Sequence, residues 1–499
     1  MKLSRAVSFA RCAPLLALAH VSHAGQVPGA AGAPDVPVSH RDRVYAAEQF
    51  SNTVSVTDPA SNQLLGIIRL GEPAPTNFSP LYHGQVLVHG LGFSPDHHTL
   101  AVVSIGSNSV TFIDTATNTV KHTTYVGRSP HEAFFTPDGK ELWVTVRGEN
   151  YVSVIDAATF REKARVLTPN GPGMQIFSPD GRYAYICSSF TPETIVVQVS
   201  SRAIVGRVRQ ESPFCPNIAA TPDGRQVWLT LKDSGKTQIF EAKPPFAPIK
   251  TLNTGAISNH VNFVNIKQSI LAYVSVGGLN QVKVFRCSDF AQVAIINVGN
   301  LPHGVWPSAD GTRVYVGLEN DDALVAIDTS SNTVVGQVPI GQAPQALVYV
   351  SEAVPEGATG VRGLQSLGLA ACAAHLKLES ASGGTPGTRA PTTSVTLFDQ
   401  GLVQVLEASV TGLVAGEAYV LALSNQADGK GELEPLAEFT ANPAGAAIVN
   451  TIGPIRQVVH AQDSTRRFLV IAPRVTGGIG AAVQVQVLGT NSDPDSRCR

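Results

Sequence analysis

The feature that most restricts this chain is an internal repeat. An alternating apolar strand, usually ending in Asp and followed by a small polar turn, recurs as NTVSVTDPASN, NSVTFIDTATN, YVSVIDAATF and ALVAIDTSSN. Degenerate copies read TIVVQVSSR, KTQIFEAK and QVKVFRCSD. The equivalent positions are Asp58, Asp114, Asp156, Gln198, Glu241, Arg286 and Asp328, with successive gaps of 56, 42, 42, 43, 45 and 42 residues. That is seven copies with one insertion of about 14 residues, within 71–88.

In each copy a second strand precedes the phrase, as in RVYAAEQ, ELWVTV and RVYVGL, and a third follows it. A further strand runs between copies into a turn such as Pro137-Asp138-Gly139, Pro179-Asp180-Gly181 or Pro222-Asp223-Gly224. Asp-Gly after Pro sets the chain up for a tight hairpin. Four short hairpin-linked strands per unit of about 42 residues are the arithmetic of a β-propeller blade. A β-solenoid or a string of sandwiches does not explain seven copies of four unequal strands. The repeated Asp reads as a turn cap.

The order of the pieces predicts how the ring closes. The first copy, from Arg43, begins at the second strand of a blade, and the last is followed by a lone strand, QALVYV, ending at Val350. That strand is expected to complete the first blade, one C-terminal strand beside three N-terminal ones, which removes exposed edges.

Charged residues make up 15% of the chain, with 45 Gly and 33 Pro, as expected of an all-β protein rich in tight turns. A net charge of −2 gives no polycationic face, so no nucleic-acid partner is expected. Residues 1–24 read as a secretory signal peptide: Lys2, Arg5 and Arg11, then an apolar run over 13–21, then Ser22-His23-Ala24 as the cleavage site. The run is too short for a stable membrane anchor, and no later stretch is long and apolar enough to span. A secreted or periplasmic location follows as the expectation, with residues 25–42 as a linker. Of six cysteines, Cys12 leaves with the signal, and five cannot all pair within one chain.

The unit resembles the YVTN repeat of bacterial β-propellers, clearest in VTVRGENYVSVIDAATF and YVGLENDDALVAIDTSSNTVVGQVPIGQAP. The resemblance covers residues 43–350 and implies a seven-bladed propeller akin to lactonase-like, quinoprotein-dehydrogenase-like and nitrous-oxide-reductase-like propellers. Those relatives differ in chemistry, so the resemblance transfers no activity.

Residues 351–391, rich in Gly, Ala and Ser, read as a linker, briefly helical over 363–378. From Thr392 alternation resumes in about seven short strands, including SVTLFDQ, LVQVLEASV and RFLVIAP. An immunoglobulin-like β-sandwich over 392–490 is expected, with a small barrel as the alternative and 491–499 as a tail. No catalytic constellation is visible in it, and adhesion, spacing or packing against the propeller is its expected role.

Inner-strand starts and second-strand ends gather at one mouth of a propeller. The inner starts are His89, His131, Gly173 or Met174, Pro216 or Asn217, His260, His303 and Gln345. Four histidines out of 13 in the chain are therefore predicted there, in two adjacent pairs of blades flanking the mouth from opposite sides. Second-strand ends add Arg147, Glu149, Lys232, Asp233, Glu319 and Asp321. Neutral imidazoles with nearby carboxylates allow a zinc, copper or iron site (His89, His131, His260, His303) or acid–base chemistry. They equally allow structural histidines, each bonding a neighbouring blade. No HExxH, CxxC, P-loop or GxSxG motif is present. Cys187 ends a second strand and Cys215 starts the next inner strand, which makes them the disulfide candidate. The insertion in 71–88 is expected to overhang the mouth with Tyr82 and His83.

Two readings follow first: a propeller that binds a small molecule or a protein partner at the mouth, or an enzyme at the same face. The enzyme would be a metal-dependent oxidoreductase or a lactonase-like hydrolase. A structural cell-surface protein is the third, with the appended sandwich as its support.

Overall fold

A computed structural model describes residues 36–71, 86–266, 269–381, 393–399, 404–453, 455, 458 and 465–488. The expected signal peptide, Tyr82 and His83 of the insertion, and the tail 491–499 lie outside the described residues.

Seven four-stranded antiparallel sheets follow one another along the chain. In the first blade Pro344–Val350 pairs with Arg43–Glu48, followed outward by Thr53–Asp58 and Gln63–Arg69. The ring is therefore closed by one late strand zipped onto three early ones, as the order of the repeats predicts.

Local chemistry builds each blade. Asp114, Asp156 and Asp328 accept hydrogen bonds from the backbone N–H of Thr117, Thr159 and Ser331, each at 3.0 Å. They cap the turn into the outer strand. The glycine of the Asp-Gly turns takes φ of +71° at Gly139, +70° at Gly181 and +64° at Gly224, a region that glycine enters without a Cβ clash.

The blades pack face to face through large aromatics. Tyr45, Trp143, Tyr185, Trp228, Tyr273 and Tyr315 sit at equivalent points of the second strand, and all are buried. Each faces a small or branched residue on the third strand: Val56, Val154, Val196, Ile239, Val284 and Ala326. In the second blade the pair is reversed, Ala101 against Phe112. The volume between blades is conserved while the strand that supplies it changes, as close packing demands.

Residues after Val350 do not form a loose linker. Asn118 Nδ2 bonds the carbonyls of Gly360 and Arg362, each at 3.0 Å. Gln365 then pairs with Ile67 on the outer strand of the first blade. The chain thus climbs the rim from the turn face to the mouth face. The helix expected over 363–378 is a single 3-10 turn, Gly368–Ala371; residues 373–378 belong to strand Ala373–Ser380, and 363–367 are irregular apart from the Gln365 bridge. That strand pairs with Thr393–Asp399 and belongs to the C-terminal domain, which therefore starts some twenty residues before Thr392.

The C-terminal strands form one hydrogen-bonded sheet of nine. Its end strands, Leu433–Thr440 and Ala447–Gly453, approach each other through the Thr451 hydroxyl and the Leu436 carbonyl, 3.3 Å apart. The expected sandwich thus takes a nearly closed, barrel-like form around Leu376, Leu397, Leu406, Leu421 and Ile471. It sits on the propeller mouth: Phe398 packs on Phe50 with ring centroids 4.8 Å apart, and Ala446 packs with Ile257 and Leu301. Asn320 Nδ2 donates to Ser394 O and Oγ at 3.2 and 3.0 Å.

Candidate functional site

Each histidine at the mouth sits in a β-bulge. The register slips between Val88 and Leu91, Pro130 and Ala133, Ser258 and Val261, and Pro302 and Val305. A bulge re-aims a side chain, here toward the ring axis. Hydroxyls on the second strands satisfy the bulged backbone. Ser275 Oγ accepts from His260 N at 2.9 Å and donates to His303 O at 2.5 Å in the next blade. Thr145 does the same between Glu132 N, 3.1 Å, and Gly173 O, 3.0 Å. Gly90 follows His89 because no larger residue fits: a Cβ there would lie 2.2 Å from His131 O.

The four histidines form one connected cluster. Ring centroids are 4.4 Å apart for His89 and His131, 5.0 Å for His260 and His303, and 6.4 Å for His89 and His303, all edge to face. The two pairs meet instead of facing each other across the mouth. Burial lowers all four pKa values; His89 is brought down to about 3, with His303 and Arg147 adding repulsion. His131 also bonds the backbone of Gly173, the structural role left open by the sequence. The Nδ1 atoms of His89 and His131 are buried without a partner. As arranged, no three of these or of any other His, Cys, Asp or Glu among the described residues are set to hold a metal ion.

His303 Nδ1 lies 2.8 Å from Glu319 Oε2, and Gln345 Nε2 donates to the other oxygen. Burial pushes the Glu319 carboxyl up, but His303 and Lys232 outweigh it and hold the acid at about 2. An ionised Glu319 places the His303 proton on Nδ1 and leaves Nε2 as a lone-pair base. Glu407 reaches the same carboxylate from the C-terminal domain. Burial, then the Glu319 charge, raise its pKa well above the ordinary value, so it stays protonated and bonds Glu319.

A cavity of about 460 Å³ lies between the mouth and the C-terminal domain. His89, His131, Arg147, Lys232, Asp233, His303 and Glu319 line it from the propeller, and Glu407, Thr440, Asn442 and Ile448 from above. Arg147 lies over the Phe214 ring, 4.8 Å from its centroid, and burial lowers it to about 10.

Four predicted polar or charged residues lie elsewhere. Asp321 accepts from Asn300 N and Nδ2 at 2.7 and 2.6 Å. His260 and Asn217 line a narrower channel pocket beneath, beside the buried Glu132. There Asn217 Oδ1 accepts from Val261 N at 3.0 Å, so it holds the next inner strand. Glu149 stands at the rim, accepting from Arg128 N at 3.0 Å, because the turn after Arg147 directs it outward. Sequence reasoning missed Glu407 and Phe214. Glu407 was detectable as the one charge in the run LVQVLEASV. Cys187 and Cys215 are joined by a disulfide with Cα atoms 6.0 Å apart, and Cys287 is a buried free thiol.

A chain of hydrazine synthase from Kuenenia stuttgartiensis is similar to this one at 18% identity, over 52% of this chain and 89% of that one, with a TM-score of 0.48. A protein described as functionally unknown, from Desulfotomaculum acetoxidans DSM 771, is similar at 15% identity, over 61% and 98%, with a TM-score of 0.52. That second likeness is one of fold alone. No curated protein matches the sequence. The YNCE-like β-propeller family model matches residues 12–355, more than half of the chain. With seven four-stranded blades in that span, the chain belongs to the YNCE-like β-propeller family.

Proposed function

We propose that this protein binds a small molecule in the cavity between the propeller mouth and the C-terminal domain. The observation that carries the reading is the domain seated over the mouth, which leaves about 460 Å³ lined by convergent polar side chains. That volume suits a small ligand. A secreted or periplasmic setting belongs to the same proposal, supported by the N-terminal signal pattern and the Cys187–Cys215 bond. No helix among the described residues is long and apolar enough to cross a membrane.

The test is a crystallographic soak or NMR titration with a library of neutral and charged fragments, on the wild type and on Thr440→Trp. Thr440 lines the cavity from an exposed position, so the indole fills the space without touching a core. Fragments that occupy the cavity and are lost in the variant support the proposal. Binding that ignores the variant, or no fragment in the cavity, sinks it.

One observation favours a second reading, acid–base catalysis: the free Nε2 of His303, oriented by Glu319 at 2.8 Å. Its mark would be turnover lost in both His303→Ala and Glu319→Gln while fragment binding persists.

A further inference from the structure

Arg147 and Lys232 are the two cations of the cavity wall, and neither has a direct acidic partner. Among the described residues, neither side chain makes an ion pair within 4.0 Å, and Arg147 Nε has no hydrogen-bond partner. Both stand beside one ring: the Arg147 guanidinium is 4.8 Å and the Lys232 ammonium 5.9 Å from the Phe214 centroid. Both line the cavity, and burial depresses both pKa values. The nearest acids are otherwise engaged. Asp233 bonds the Asn442 side chain, Glu319 holds His303 and Gln345, and Glu407 is protonated against Glu319.

Glu319 and Asp233 act on these cations through the field and not through contact, so an anion in the cavity would take up hydrogen bonds that no acidic side chain now accepts. The guanidinium fork matches a carboxylate in two parallel hydrogen bonds, while the ammonium adds a point charge. Phe214 gathers both cations beside one ring on the cavity wall.

We infer that Arg147 and Lys232 form the anion subsite of this cavity and that its ligand is a small organic acid bound through its carboxylate. This rests on the small-molecule reading above and narrows it to a chemical class. His303 and Ile448 also line the cavity, beside the space left for the rest of such a ligand.

The experiment is calorimetric titration of the full chain with benzoate, succinate and inorganic phosphate, each carboxylate beside its neutral amide. Arg147→Gln, Lys232→Met and Lys430→Gln are compared; Lys430 is exposed, pairs with Asp428 and serves as the control. A carboxylate is expected to bind with Kd of about 1 mM or tighter, its amide not at all, with at least a tenfold loss in R147Q and K232M and none in K430Q. Apo R147Q is expected to melt no lower than the wild type, because a buried charge with no acid in contact has been removed.

Phosphate binding without carboxylate binding overturns the ligand class. Anion binding unchanged in both variants overturns the subsite, as does a lower melting temperature in both with affinity intact. Neutral fragments in the cavity with no anion bound overturn this inference and leave the small-molecule reading standing. An empty cavity in both experiments removes the two together.

Discussion

The Glu407 carboxyl group hydrogen-bonds the Glu319 carboxylate, so a single proton ties the C-terminal domain to the seventh blade. One acid of the pair is held low by His303 and Lys232, and the other is forced high by burial and by its partner. The folded chain therefore keeps a proton on Glu407 that the unfolded chain releases above about pH 4.5.

Stability at this pair falls as pH rises from that point toward the folded pKa. Asp322 and Glu132, both raised by burial, act in the same direction. Glu407→Gln keeps an N–H donor and removes the titration. Chemical denaturation at pH 5, 6 and 7 is expected to show a shallower decline in the variant, by about 1.4 kcal/mol per pH unit. Parallel curves would show that Glu407 is ionised in the fold.

The histidine cluster pulls the other way. His89 is held at about 3, so between there and about pH 6.5 the unfolded chain binds a proton that the folded chain refuses. Stability rises with pH through this window. His89→Asn removes that linkage, and its stability relative to wild type is expected to be about 2 kcal/mol better at pH 5 than at pH 8. An equal difference at both values would mean that His89 titrates normally.

Replacing Gly90 by Ala is expected to cost about 3 kcal/mol or more, read as a drop in denaturation midpoint. The added Cβ would meet His131 O at 2.2 Å and Glu132 Oε2 at 2.8 Å, backbone and a buried acid that have nowhere to go. A near-neutral result would show that the inner strands are less tightly apposed.

Loss of the Cys187–Cys215 bond, 28 residues apart in sequence, is expected to lower stability by about 2–4 kcal/mol. The Cys187→Ser, Cys215→Ser double variant should also melt at the same temperature with and without reductant, while the wild type shifts. Insensitivity of the wild type to a reductant that opens the bond would argue against a stabilising role.

Phe112→Ala tests the reversed aromatic pair. With Ala101 opposite, no aromatic would remain between those strands of the second blade, and a loss of about 3–5 kcal/mol is expected. Restoring the bulk from the other side, with Ala101→Trp added and Val at 112, should recover part of it.

The propeller was legible because blade structure is local. Each strand pairs with its sequence neighbour, and each turn is written in its own Asp, Asn or Gly, so a repeat of about 42 residues carries the architecture. The mouth was legible for the same reason: His89, His131, His260 and His303 recur at a constant offset in the blade. Their outward neighbours were harder. Glu149 lies two residues beyond Arg147, yet one lines the rim and the other the cavity, because the turn between them sets their directions.

What the sequence determined by itself is the ring, its seven blades, its one-plus-three closure and the residues gathered at its mouth. Tertiary structure alone decided that the C-terminal domain begins at Ala373, climbs onto that mouth and places Glu407 against Glu319. The reason is physical. Blade contacts are between neighbours in sequence and repeat seven times. The docking of the second domain is made once, by contacts such as Phe50 with Phe398 across 348 residues of chain, and nothing periodic announces it.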